Sequence, residues 1–160
     1  VKLKPIHVEE ICHQFDIYNL TENEINPHVG IELNTPRRIA QYVGTEILRS
    51  FDKDIHCKHA VKDLPSNCFG IVTDCRFWSE YDYFQHNSDK FLSVYIANEK
   101  AEEKGANDNH ASEREILGIA DKCLFTVDNN GTLTDLSLQI KGLMRYIEFI
   151  VNDRSTPIGY

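Results

Sequence analysis

Asp74-Cys75-Arg76-Phe77-Trp78-Ser79-Glu80 follows directly on the apolar run Phe69 to Thr73, and it is the first of three groups whose residue types could do chemistry. Arginine presents a planar fork of donors that matches a phosphate or a carboxylate. A neighbouring aspartate can orient that fork, or accept from a substrate or a metal-bound water. The plainer alternative is a strand-to-helix loop in which Asp74 and Arg76 form a local ion pair and Ser79 caps the helix.

The second group is Arg38, Gln41, Thr45 and Arg49, which recur at three- and four-residue spacing and so share one face of an α-helix. Gly44 lies among them. An interior glycine costs about 1 kcal/mol relative to alanine, so its presence suggests close approach by another backbone or a flat ligand. The alternative is a solvated charged face with a tolerated glycine. The third group is Asn109-His110-Ala111-Ser112-Glu113-Arg114-Glu115. Ser112 and Glu115 have the spacing of a capping box, which leaves His110 as the residue with chemistry to offer. The polar run 97–111 reads as a candidate lid.

His56, Cys57, His59 and Cys68 crowd together but match no paired Cys/His zinc spacing, so no metal site is expected from them. A nucleophilic cysteine is likewise not supported by the sequence. Neither G-x-x-x-x-G-K-[ST] nor G-x-G-x-x-G occurs in these residues. A triphosphate grip would have to come from elsewhere.

The elements that must position these groups can be read from period and punctuation. Pro5 to Phe15 carries Ile6, Val8, Ile11, Cys12 and Phe15 at near-helical spacing, and a polar loop from Asn19 to Asn34 follows. Thr35-Pro36 gives a helix start, with an apolar face of Ile39, Ala40, Val43, Ile47, Leu48 and Phe51. Phe69 to Thr73 reads as a central strand covered on both faces, Trp78 to His86 as a helix, and Phe91 to Ile96 and Cys123 to Val127 as further strands. Asp128-Asn129-Asn130-Gly131 turns into a last helix from Leu133 to Val151, with Thr132 and Asp135 placed to cap it and a stripe of Leu136, Ile140, Leu143, Ile147 and Ile150. Strands alternating with helices predict an α/β fold, a mostly parallel sheet flanked by helices on both faces, in one domain over 1–160. Ligands of such sheets bind beyond the carboxyl ends of the strands.

Bulk properties exclude several function classes. With 160 residues and a formal net charge of −8, the chain lacks the positive field that recruits a nucleic-acid polymer or an anionic membrane. Five scattered cysteines are odd in number, which fits a reducing compartment such as the cytoplasm better than a disulfide-stapled secreted domain. No run approaches the roughly 18 apolar residues of a membrane helix.

Taken in order, Thr35-Pro36-Arg37-Arg38-Ile39-Ala40-Gln41-Tyr42-Val43-Gly44-Thr45-Glu46 with Arg49, Ile71-Val72-Thr73-Asp74-Cys75-Arg76-Phe77 with Glu80, His110-Ala111-Ser112-Glu113, and Asn130-Gly131-Thr132-Leu133 with Leu136 resemble the deoxynucleoside monophosphate kinases of bacteriophages. The resemblance spans roughly residues 5 to 150. It implies a P-loop-kinase-like fold, N-terminally truncated because the family's first strand and Walker A loop are not in this sequence. It also implies a deoxynucleoside 5′-monophosphate as substrate, with ATP and Mg²⁺ as cofactors, in a host cytoplasm if phage-encoded. Arg38, Gln41, Arg49, Glu80 and His110 would be substrate-binding, and Asp74 and Arg76 would be catalytic. A homodimer is compatible with this reading. Phosphoryl transfer relies on the Walker A amides and lysine, so the chain alone is expected to hold the acceptor and lack the ATP grip. The alternatives are a non-catalytic nucleotide binder and a regulatory or interaction protein derived from the same fold.

Overall fold

Proline at position 5 starts the first helix where its missing N–H is not needed. In the computed structural model, which describes residues 1–65, 68–99 and 111–152, with backbone alone for 111–114, this helix α1 spans Pro5–His13. Val8 and Cys12, one turn apart on it, are both fully buried. Before it, the chain start lies antiparallel to residues 31–33: Leu3 N–H donates to Ile31 O at 2.9 Å and Leu33 N–H to Val1 O at 2.7 Å. That pairing delivers Leu3 and Leu33 to the core beside Val8, Cys12, Ile25 and Ile47.

The expected polar loop from Asn19 to Asn34 contains more structure than its composition suggests. Helix α2 spans Glu22–Ile25 and a 3₁₀ turn spans Asn26–His28. Glu24 starts α2 by accepting from both Thr21 N–H, at 2.8 Å, and Thr21 Oγ1, at 2.7 Å. Ile25 is the buried anchor that a polarity average over this stretch conceals.

Thr35 caps helix α3, Pro36–Gln41, by accepting from Arg38 N–H at 3.2 Å, as its sequence signal predicts. The helix continues as a seven-residue π-helix, Tyr42–Leu48, and closes with the turn α4, Arg49–Phe51. Ile47 and Leu48 are fully buried, whereas Ala40, expected on the apolar face, is exposed. Helix α5, Ile55–Val61, arises from the His/Cys-rich stretch and buries Ile55 and Cys57. These elements make up one compact unit, Val1–Gly70.

A second compact unit, Ile71–Tyr160, contains helix α6 (Trp78–Asn87), strand β1 (Val94–Ala97), helix α7 (Ala111–Ala120), strand β2 (Phe125–Asp128) and helix α8 (Leu133–Asn152). β1 and β2 pair in parallel from Val94↔Phe125 to Ala97↔Asp128. The architecture is therefore mixed α/β, mostly helical, with a two-stranded parallel sheet among the described residues. The larger sheet expected from the sequence is not seen there. Phe69 to Thr73 forms no strand, and Phe69 and Ile71 are 74% and 88% exposed. An apolar, β-branched run reports a preference for extended, covered backbone, but it cannot supply the neighbouring strand whose hydrogen bonds make it part of a sheet.

Two strands alone are marginal and need a packed helix. α8 supplies it: Phe125 of β2 meets Tyr146 edge to face at 4.8 Å between ring centres. Thr132 and Asp135 cap α8 as expected, with Thr132 Oγ1 donating to Asp135 at 2.6 Å and Asp135 N–H returning to Thr132 Oγ1 at 3.2 Å.

Leu33 has no exposed surface. We expect Leu33→Ala to cost about 2–5 kcal/mol in urea unfolding followed by far-ultraviolet circular dichroism. Leu138→Ala, on a side chain that is 62% exposed, should stay within about 0.5 kcal/mol of the parent.

Candidate functional site

On the first unit, the sequence-derived residues divide at the π-helix. Arg38 and Gln41 stand on α3, and Arg49 begins α4 after the whole of Tyr42–Leu48. A π-helix closes i→i+5 rather than i→i+4 hydrogen bonds, so each ring takes up about one more residue. The α-helical spacing that aligned Arg38 with Arg49 therefore does not carry through the stretch, and Arg49 is rotated off the row begun by Arg38 and Gln41. The Arg38 side chain is exposed and makes no ion pair with a described residue, while Gln41 and Arg49 are half-buried.

The flat group beside Gly44 turns out to be the protein's own His56. Its Nε2 lies 3.0 Å from Gly44 O, and a Cβ placed on Gly44 would sit 3.6 Å from that nitrogen, an ordinary contact. A second histidine braces the same stretch. His28 Nδ1 lies 3.1 Å from the Tyr42 hydroxyl, with the rings edge to face. Burial lowers the His28 pKa, partly offset by Glu46, and burial together with Glu46 raises that of Tyr42. Neither histidine was singled out for this role from the sequence, because 12- and 14-residue separations leave no local signal.

On the second unit, Arg76 Nε donates to Asp74 Oδ1 at 2.5 Å, which fixes the guanidinium from one side. Glu80 accepts from Arg76 N–H at 2.9 Å and from Phe77 N–H at 3.2 Å. Glu80 thus closes the start of α6, its negative charge meeting amides at the positive end of the helix. Glu115 of α7 adds a second carboxylate, accepting from Trp78 N–H at 2.8 Å. The sequence assigned Glu115 to a capping box on its own helix. Its reach across to α6 becomes visible only when Trp78 is seen lying against Gly118, where an added Cβ would come within 3.2 Å of the indole. His110 and most of the candidate lid 97–111 lie outside the described residues.

Other clusters are committed to structure. His59 packs on Phe15 at 4.8 Å between ring centres, and Cys57 is buried. Burial raises the Cys12 and Cys123 thiol pKa values, which keeps both protonated at neutral pH. Among the described residues, no three His, Cys, Asp or Glu side chains are grouped to hold a metal ion. Asp74, the one carboxylate that the sequence offered toward Mg²⁺, faces Arg76 instead. With no phosphate-cradling loop in the sequence either, the described residues do not build a grip for ATP and Mg²⁺. No helix among the described residues is long and apolar enough to cross a membrane.

A relative is found in Acanthamoeba polyphaga mimivirus, where it carries the provisional name deoxynucleotide monophosphate kinase. The two are 30% identical over 139 residues, covering 78% of this chain and 68% of the relative. The chain belongs to the deoxynucleotide monophosphate kinase family. No family model matches it, and no solved structure matches it significantly.

Removing the Glu115 cap should destabilise the second unit. Glu115→Ala is expected to cost about 1 kcal/mol, read by Trp78 fluorescence during urea unfolding, and Glu115→Gln, which keeps an acceptor oxygen, should cost less. For His28 the sign follows from its lowered folded pKa. Below the ordinary value of 6.5 the unfolded chain takes up a proton that the folded chain resists, so stability is greatest above that pH and is lost as pH falls. His28→Gln should flatten the dependence of the unfolding midpoint between about pH 7 and pH 5.

Proposed function

We propose that this chain binds a deoxynucleoside 5′-monophosphate as the acceptor for phosphoryl transfer from ATP. Family membership supports the substrate class, and the observation that carries the site is Arg38. It is an exposed guanidinium on a capped helix, with no ion pair among the described residues and Gln41 one turn on. A phosphate gives such a group the bidentate partner that it otherwise lacks.

Asp74 and Arg76 serve as a pre-set fork. Holding Nε on Asp74 removes one rotational freedom from the guanidinium before ligand arrives, which lowers the entropic cost of engaging a phosphate. Glu80 holds the backbone amides of Arg76 and Phe77 through one carboxylate oxygen and is proposed as substrate-binding beside them. Arg49 supplies a further cation, and the family resemblance adds His110 as a substrate-binding residue. The chemistry open to each of these residues is positioning and charge neutralisation of a phosphate. Transfer itself requires a β,γ-phosphate grip, which these 160 residues do not contain.

Titration calorimetry with the four common deoxynucleoside monophosphates tests the proposal. Arg38→Ala and Arg76→Ala should each weaken binding by about tenfold, some 1.4 kcal/mol. Their affinity for the unphosphorylated deoxynucleoside should not change. Equal monophosphate affinity in the parent and both variants would remove the assignment.

A further inference from the structure

We infer that His56 is a positioning residue, and that its bond to the Gly44 carbonyl holds the π-helix that sets the angle between Arg38 and Arg49. The inference rests on the acceptor-binding reading above and adds to it a residue and a device that neither sequence spacing nor family membership points to.

A π-helix is rare, and within longer helices it is found mostly as a single turn, often at functional sites. Here it extends over seven residues, so something must hold it against the shorter i→i+4 pattern. Two side chains do so from outside the helix. His56, on α5, brings Nε2 to 3.0 Å from Gly44 O in the middle of the stretch. His28, on the 3₁₀ turn, brings Nδ1 to 3.1 Å from the hydroxyl of Tyr42 at its first residue. At the far end, Ile47 and Leu48 are sunk in the core. The stretch is therefore gripped at its start, middle and end.

The placement gives the device a use. Arg38 and Gln41 precede the π-helix and Arg49 follows it immediately. In an unbroken α-helix, 11 residues are close to three turns, so the arginines at 38 and 49 would stand in one row. Donors in one row are presented on a single side of the helix, whereas donors offset around the axis are presented on different sides, so the winding sets which side each arginine serves. Slower winding through Tyr42–Leu48 provides that offset. Only a hydrogen-bond donor can satisfy the Gly44 carbonyl, and glutamine carries a donor nitrogen at a reach similar to histidine Nε2. Alanine carries none.

The test uses the whole chain and its His56→Ala and His56→Gln variants, with deoxynucleoside monophosphate titrations and amide hydrogen exchange over residues 44–49. We expect His56→Ala to speed exchange there at least tenfold and to weaken monophosphate binding about tenfold, leaving deoxynucleoside binding unchanged. His56→Gln should restore both within about threefold. Unchanged exchange in His56→Ala would overturn the anchoring role whatever the nucleotide result. Faster exchange with unchanged monophosphate affinity, while Arg38→Ala loses affinity, would overturn the aiming role alone. If the unaltered chain binds no monophosphate, the acceptor reading fails and the aiming role with it, and exchange still decides the anchor. Should His56→Ala unfold, His56→Gln against His56→Leu, which fills the space without a donor, provides the same comparison.

Discussion

Burial of Ile47 and Leu48 constrains the rest of the first unit. They are adjacent positions at the end of the π-helix and point to different sides of its axis, so burying both requires cover on two sides of the helix. Around Ile47 that cover comes from widely separated parts of the chain: Leu3 and Leu33 through the antiparallel pairing of the chain start, Val8 and Cys12 from α1, and Ile25 from α2. The arginine-bearing helix is thereby fixed along its length, with Arg38 and Arg49 left at either end of the buried segment. A π-helix is tolerated in this setting because its outward backbone and side-chain groups find partners in His56 and His28.

The second unit is organised by satisfaction of backbone groups rather than by a large core. Two carboxylates, Glu80 and Glu115, close the start of α6. The side-chain amide of Gln139 on α8 clamps Asp128 from both sides, its oxygen accepting from Asp128 N–H at 2.8 Å and its nitrogen donating to Asp128 O at 2.9 Å. Asn129 N–H extends the parallel ladder to Ala97 O at 2.9 Å. Each contact meets a polar group that a strand or helix end would otherwise leave open. Around them Trp78, Tyr81 and Phe91 form a chain of edge-to-face rings, and the Tyr81 hydroxyl bonds Lys122 O at 3.2 Å.

These two solutions bear on function in different ways. In the first unit the cationic residues sit at the two ends of a helix whose internal winding decides their relation. In the second, Asp74 orders Arg76 by direct contact and Glu80 orders its backbone, so the local ion pair and the functional reading are compatible. An aspartate that fixes an arginine fork is both a structural contact and the pre-organisation a phosphate ligand would use. The chain's membership of the deoxynucleotide monophosphate kinase family is the context in which that functional reading is proposed.

The sequence by itself determined what depends on neighbours within a turn or so. The Thr35-Pro36 start, the Thr132/Asp135 cap, the helices from Pro5, Trp78 and Leu133, and the strands near Val94 and Phe125 all carry their signal in a few consecutive residues. Kinship with the deoxynucleotide monophosphate kinases is likewise carried by the sequence, through 30% identity over 139 residues. Tertiary structure alone decided the rest. Whether Phe69 to Thr73 joins a sheet depends on a strand beside it. That Glu115 reaches the start of α6 depends on how closely Trp78 approaches α7 at Gly118. Whether Arg38 and Arg49 share a face depends on two histidines, distant in sequence, that hold seven residues in a wider helix. Periodicity assumes a winding number, and in this protein packing sets it.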